Sequence, residues 1–219
     1  MPYFDNEFAY ELRLWDAINQ RLLSPFDYYC IDDISSNLEG IDLNNDVELF
    51  KKLNTSERNK LLFSVINNYI GIYAQPFCLV FCITTTHAKI VANFLQKEGL
   101  QAAYLTNEVS QERTTIINNF KKGKINYLCV VNMFNEGIDV PQIDTIIMLR
   151  PTSSKTIYLQ QLGRGLRKTD SKNKLEVYDL IANVDKKYDI TAGIKNLYNS
   201  NLERNKAFLG GNSSLPYRV

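Results

Sequence analysis

Phe77-Cys78-Leu79-Val80-Phe81-Cys82-Ile83-Thr84-Thr85-Thr86 sets seven apolar residues in a row and follows them with three threonines. A strand with one face in water alternates apolar and polar residues. An unbroken apolar run of this length is how a strand buried on both faces reads. Threonines suit the turn that follows, where a hydroxyl can cap the first amides of a helix. The helix keeps its amphipathic spacing to about Glu98 and turns at Gly99.

Downstream the same texture repeats. Gln101 to Leu105 reads as a short strand, and Ser110-Gln111-Glu112-Arg113 opens a helix through Phe120, closed by Lys121-Lys122-Gly123-Lys124. Tyr127 to Val131 is a strand, followed by a loop through Pro141. Ile143 to Leu149 is a strand, Ser153 to Leu162 a helix, and Leu175 to Ile181 a strand. Strands alternating with helices predict an α/β fold, a parallel sheet flanked by helices on both faces. Ligands of such sheets gather at the carboxyl ends of the strands. Residues 84–86, 132–139 and 150–152 all sit just beyond strands.

Upstream, Leu12, Trp15, Ile18 and Leu22 recur at helical spacing, so Tyr10 to Leu23 reads as an amphipathic helix that ends before Ser24-Pro25. Phe26 to Ile31 alternates like a strand. An acidic, Asn-rich connector covers roughly Asp32 to Asp46. Thr55 or Ser56 caps a helix carrying Leu61, Leu62, Val65, Ile66, Tyr69 and Ile70, which Gly71 is placed to end. Three divisions follow: a mostly helical extension over 1–75 packing on the main domain, the α/β domain over 76–184, and a polar helical tail over 185–219.

Composition narrows the function. With 219 residues, 45% hydrophobic and 22% charged, the chain has room for one large domain and its appendages. A formal net charge of +1 gives no global pull toward nucleic acid, so such contacts must be local. Cys78 and Cys82 share a strand face and suit buried reduced thiols, and no CxxC spacing supports a zinc site. His87 is the single histidine, which excludes a histidine-rich metal centre. No signal peptide or membrane-length apolar run is present, so a cytoplasmic location is expected.

One stretch carries unusual chemistry: Gln160-Gln161-Leu162-Gly163-Arg164-Gly165-Leu166-Arg167. Two arginines three apart fall on one side of a helical turn, and the glycines leave room for another backbone or a ligand. Guanidinium forks match phosphate oxygens in a bidentate way and suit the charge that builds on a γ-phosphate during transfer. An isolated R-x-x-R is ordinarily a solvated basic turn; its surroundings decide otherwise here.

Leu79 to Ala88, Asn132 to Pro141 and Gln160 to Arg167, in that order and at fitting spacing, resemble motifs IV, V and VI of the second RecA-like domain of superfamily 2 DEAD/DEAH-type helicases. Residues 7–31 resemble the lead-in to that domain in bacterial DNA helicases related to restriction and repair enzymes. The resemblance implies a RecA-like fold and roles for individual residues. Arg164 and Arg167 reach across an interdomain cleft to the phosphates of ATP, Gln160 helps organise that cleft, and Gly137 and Asp139 lie near the nucleotide. Thr84, Thr85, His87, Asn107, Arg113 and Asn132 fall in loops that touch the nucleic-acid backbone, DNA rather than RNA. Backbone amides and hydroxyls at helix starts are natural phosphate partners. Val131 departs from the Thr or Ser common in motif V, and Asn132 is the substitute at hand. A hydroxyl among Thr84 to Thr86 has a simpler reading as a helix cap, and Lys121 to Lys124 reads as a solvated helix end.

The sequence contains no G-x-x-x-x-G-K-[S/T] stretch and no strand-ending Asp-Glu-x-x run, the elements that hold phosphates and Mg²⁺ in P-loop enzymes. The chain therefore reads as half of an enzyme, partnered by a first RecA-like domain that holds ATP and Mg²⁺, and inactive alone. A non-catalytic binding module of the same fold is the alternative, disfavoured by the intact arginine pair. A nuclease or methyltransferase reading finds neither a PD-(D/E)xK pattern nor a glycine-rich cofactor loop.

Overall fold

The structure is a computed structural model that describes residues 14–70, 75–105, 110–131, 140–151, 154–170 and 172–183. Its elements run α1 (Leu14–Asn19), β1 (Phe26–Asn37), α2 (Asp46–Leu53), α3 (Ser56–Val65), β2 (Cys78–Phe81), α4 (Thr85–Lys97), β3 (Ala102–Tyr104), α5 (Ser110–Lys121), β4 (Tyr127–Val130), β5 (Thr145–Met148), α6 (Lys155–Gly165) and β6 (Leu175–Asn183). The six strands form one sheet in the order β1-β6-β5-β2-β4-β3, every pair parallel.

The apolar runs are explained by what covers each face. Phe26, Tyr28, Leu79, Phe81, Leu128, Val130, Ile146, Met148, Leu175 and Val177 pack with Phe120 of α5 and with Tyr158 and Leu162 of α6. Cys78, Val80, Cys129, Ile147, Tyr178 and Leu180 pack on the opposite face with Leu62 and Val65 of α3 and Val91, Ala92 and Leu95 of α4. Neighbouring residues of one strand thus point into two different cores, and both must be apolar. Cys78, Cys82 and Cys129 are buried free thiols on the second of these faces. Among the described residues no helix is long and apolar enough to cross a membrane.

The amino-terminal third differs from its sequence reading. β1 does not stop at Ile31 but runs to Asn37, and it pairs with β6 as the edge strand of the sheet, so the fold shows no break at residue 75 within the described residues. Where the expected connector ends, at Asp46, the chain enters a helix that the sequence reading did not place. Asn45 caps α2 by accepting from the Glu48 N–H, and Leu49 and Leu53, four apart, are buried in a small third core with Leu38, Leu43, Ile83 and Ala182. The helix starting at Ser56 passes into a π-helical turn over Ile66–Ile70; Gly71 lies outside the described residues.

An ion pair holds this third to the rest. Arg58 of α3 and Asp33 of β1 are each 2% exposed and form a salt bridge inside the protein. Arg58 also donates to the carbonyls of Leu149 at 3.1 Å and Leu180 at 2.9 Å. Burial pushes the Asp33 carboxyl up, but hydrogen bonds from Ser35 and Ser36 and the Arg58 charge together hold it below its ordinary value. A charged residue can occupy the sheet here because its partner and two backbone acceptors arrive with it.

Candidate functional site

α6 carries Arg164 in its last turn and leads directly into Arg167. Ser154 caps the helix, its hydroxyl oxygen accepting from the Ile157 N–H at 3.4 Å. Tyr158, Leu162 and Leu166, spaced by four, are buried on the sheet. Gln160, Gly163 and Arg167 are exposed and Arg164 is half-buried. Gln160, Gly163 and Arg164, at i, i+3 and i+4, lie on the helix face turned away from the core, and Arg167 follows just beyond the helix end, where it is exposed. Among the residues named for the phosphate role, Gln160 and Arg167 are thus exposed and Arg164 is partly so, all within the last turns of α6 and the two residues that follow it.

The two glycines do different work. A Cβ at Gly163 would meet nothing within 4 Å. One at Gly165 would come within 2.5 and 2.8 Å of the Leu175 methyls and 3.0 Å of Ile146 Cδ1. The sequence expectation of room for a ligand holds as open space at Gly163 only. Gly165 is small because the core of the sheet presses against it.

The far end of α6 is anchored by backbone. Ser24 N–H donates to the Leu166 carbonyl at 2.8 Å, and Ser24 Oγ donates to the Arg167 carbonyl at 3.3 Å. Leu23 and Arg167 form an antiparallel bridge. Because Ser24 lies two residues before β1 and Leu175 opens β6, the arginines stand at the amino ends of the strands. They are at the opposite end of the sheet from Thr84 and Thr85, which follow the carboxyl end of β2.

The carboxyl end gathers the other described candidates. Thr84 caps α4, its Oγ1 accepting from the His87 N–H at 3.1 Å, which is the structural reading of this hydroxyl. Thr85 and Thr86 are exposed on the first turn. His87 turns inward, which corrects its reading as a surface contact. It is 1% exposed, its Nδ1 accepts from the Ile83 N–H at 3.2 Å, and its ring sits edge-on to Phe50. Burial, with the Arg58 charge adding to it, lowers its pKa to about 4, so the ring is neutral. Its service here is to the turn that presents Thr84 and Thr85.

Arg113 is half-buried on the first turn of α5. Arg150, beyond β5, pairs with Asp46 of α2 at 2.7 Å. Asn107, Asn132, Gly137 and Asp139 lie outside the described residues, as does Thr152. No group of three or more His, Cys, Asp or Glu able to hold a metal occurs among the described residues.

Sequence reasoning missed Arg58, Asp179 and Lys172. Asp179 of β6 is buried, accepts a hydrogen bond from the Tyr28 hydroxyl and lies close to Tyr158 of α6. Burial raises its pKa to about 6, against the opposing pull of the Tyr28 hydrogen bond and the Arg58 charge. No local pattern signals such residues, because each partner comes from a distant element. For His87 there was a signal, the Thr-x-x-His spacing of a side chain reaching back over a helix start.

Comparison with known proteins bears on this geometry. Residues 62–169 match the helicase conserved C-terminal domain family. IRC3 of Saccharomyces cerevisiae, named as an ATP-dependent helicase, is 30% identical over 152 residues, 69% of this chain and 22% of that protein. The mitochondrial protein irc3 of Schizosaccharomyces pombe, named likewise, is 37% identical over 136 residues, 61% of this chain and 22% of its own length. The chain thus spans about a fifth of the length of these relatives. In fold it is similar to a fragment assigned as an HsdR subunit of a type I restriction enzyme from Vibrio vulnificus YJ016, with TM-score 0.60 and 18% identity over 78% of this chain and 34% of that one. It is similar also to the RNA-helicase Prp28 from Chaetomium thermophilum, with TM-score 0.56 and 16% identity over 80% and 37%. The parallel sheet, the order of the motifs and these matches agree: residues 62–169 belong to the helicase conserved C-terminal domain family, the second RecA-like domain of superfamily 2 helicases.

Proposed function

We propose that this chain is the second motor domain of an ATP-dependent DNA helicase or translocase of the cytoplasm, completed by a first RecA-like domain. The observation that carries the reading is Gln160, Gly163 and Arg164 on the outer face of a helix fixed at both ends, with Arg167 exposed just beyond it. Arginines at such a place have the donor set that fits a triphosphate brought up by another domain. Under this reading Mg²⁺ is held by the first domain. ATP supplies the phosphoryl group that is transferred to water. Arg164 and Arg167 stabilise the charge developing on it, Gln160 orders the cleft, and Gly137 and Asp139 line the nucleotide side. Thr84, Thr85, Asn107, Arg113 and Asn132 form this domain's part of the nucleic-acid track, with His87 holding the turn beneath them.

The test joins this chain to its first motor domain and measures DNA-stimulated ATPase. Arg164→Ala and Arg167→Ala should each lower turnover by about 10³ or more with circular dichroism unchanged. The chain alone should show no ATPase. Undiminished turnover in both variants would refute the arginine assignment and favour a binding module.

A further inference from the structure

Between α6 and β6 the chain reads Thr169-Asp170-Ser171-Lys172-Asn173-Lys174, a polar turn by any sequence measure. Lys172 is nevertheless 8% exposed. Its ammonium donates to three backbone carbonyls, those of Pro141 at 3.2 Å, Ile143 at 3.0 Å and Gly165 at 2.7 Å. An ammonium has three N–H donors, so each has a partner. Lys174, two residues on, shows the contrast: it is 30% exposed and pairs with the carboxylates of Asp27 and Glu176.

The three carbonyls come from two segments. Gly165 is the last residue of α6, where the helix dipole is negative and a cation is favoured. Pro141 and Ile143 lead into β5, immediately after the stretch that holds Gly137 and Asp139. Burial lowers the Lys172 pKa to about 8, against the opposing charge of Asp144, so the ammonium form still dominates at neutral pH. Without it, three carbonyls facing one point lose their donor together, and each prefers to move apart toward water.

We propose that Lys172 is a positioning residue of the motor, clamping the last turn of α6 to the segment that follows the motif V loop and so fixing where Arg164 and Arg167 stand. This assignment rests on the reading of those arginines as phosphate-facing. It gives the motor a mechanical link between its two nucleotide-side motifs that passes through a side chain outside both.

The test uses Lys172→Met, which keeps the stem and removes every donor, and Lys172→Gln, which keeps two donors and no charge. In the chain itself, hydrogen exchange of amides 164–168 should quicken tenfold or more in Lys172→Met while α4 amides keep their rates. In the chain joined to its first motor domain, kcat should fall tenfold or more with KM for ATP within about threefold, and Lys172→Gln should lie between. Arg164→Ala is assayed alongside. If it leaves turnover intact, the arginine reading fails regardless of Lys172. If it abolishes turnover while Lys172→Met keeps wild-type kcat and exchange, the clamp is overturned. Loss of fold in both Lys172 variants would also overturn it, since Lys172 would then serve the whole domain and not the arginines.

Discussion

Gly163 and Gly165, two residues apart on α6, should respond to the same substitution with opposite signs. Alanine in a helix interior is favoured over glycine by about 1 kcal/mol. At Gly163 the new methyl meets nothing within 4 Å, so Gly163→Ala should stabilise the fold by about 0.5–1 kcal/mol. At Gly165 it would stand 2.5 and 2.8 Å from the Leu175 methyls and 3.0 Å from Ile146 Cδ1. Side-chain tips can sometimes swing aside, but Leu175 and Ile146 are both fully buried and have nowhere to go. Overpacking of this kind costs about 1–3 kcal/mol, more than the helix gain, so Gly165→Ala should be net destabilising by about 1–2 kcal/mol. Urea unfolding followed by far-ultraviolet dichroism reads the difference, with a midpoint lowered by about 0.3–1 M for Gly165→Ala and raised for Gly163→Ala. A Gly165→Ala variant as stable as the parent would mean that α6 can lift from the sheet at little cost, and the claim that this helix holds the arginines in place would fall with it.

Two further outcomes follow from the buried charges. Arg58→Met should cost about 3–5 kcal/mol in thermal or urea unfolding, because it leaves the Asp33 carboxylate buried without its cation and the carbonyls of Leu149 and Leu180 without a donor; the double variant with Asp33→Asn should recover part of this. Asp179 has a folded pKa of about 6, above its ordinary 3.8, so whatever stability it confers is complete below about pH 4 and is lost as pH rises through 6. The rise corresponds to about 3 kcal/mol at neutral pH, an upper figure because the Tyr28 hydrogen bond is stronger to a carboxylate. Asp179→Asn should therefore raise the melting temperature at pH 7 and not at pH 4, and an equal effect at both would refute the assignment.

Much of the fold could be read from the chain because parallel strands covered on both faces leave a local mark. Residues 77–83 and 127–131 carry no polar residue to interrupt burial, and helical spacing separates them. The reading failed where stability depends on a distant partner. Asp32-Asp33 looked like the end of a strand, since carboxylates rarely lie inside a sheet; the chain continues as β1 because Arg58, 25 residues away, neutralises Asp33. α2 is a different case. Its cap Asn45 and its pair Leu49 and Leu53 were visible, but the acidic run before them suggested a connector and hid an eight-residue helix.

The site divides along the same line. Helical geometry is local, yet the spacing that set Arg164 and Arg167 on one helical turn did not show that α6 ends at Gly165 and leaves Arg167 beyond it. Nor did it show which end of the sheet the arginines occupy, because that depends on Leu166 and Arg167 meeting Ser24 from more than 140 residues earlier. That placement matters for the proposed motor. Thr84 and Thr85 open α4 on one face at the carboxyl end, while the arginines close α6 on the other face at the amino end. Among the described residues, what lies between them is a sheet whose central strands are wholly buried. A close-packed core transmits displacement and resists bending. Under this reading, a phosphate group pulling on Arg164 and Arg167 moves the nucleic-acid end by turning the domain as one body. A clamp such as Lys172 is then needed where the force enters, since a last turn of α6 that yielded would absorb the stroke before the sheet could move.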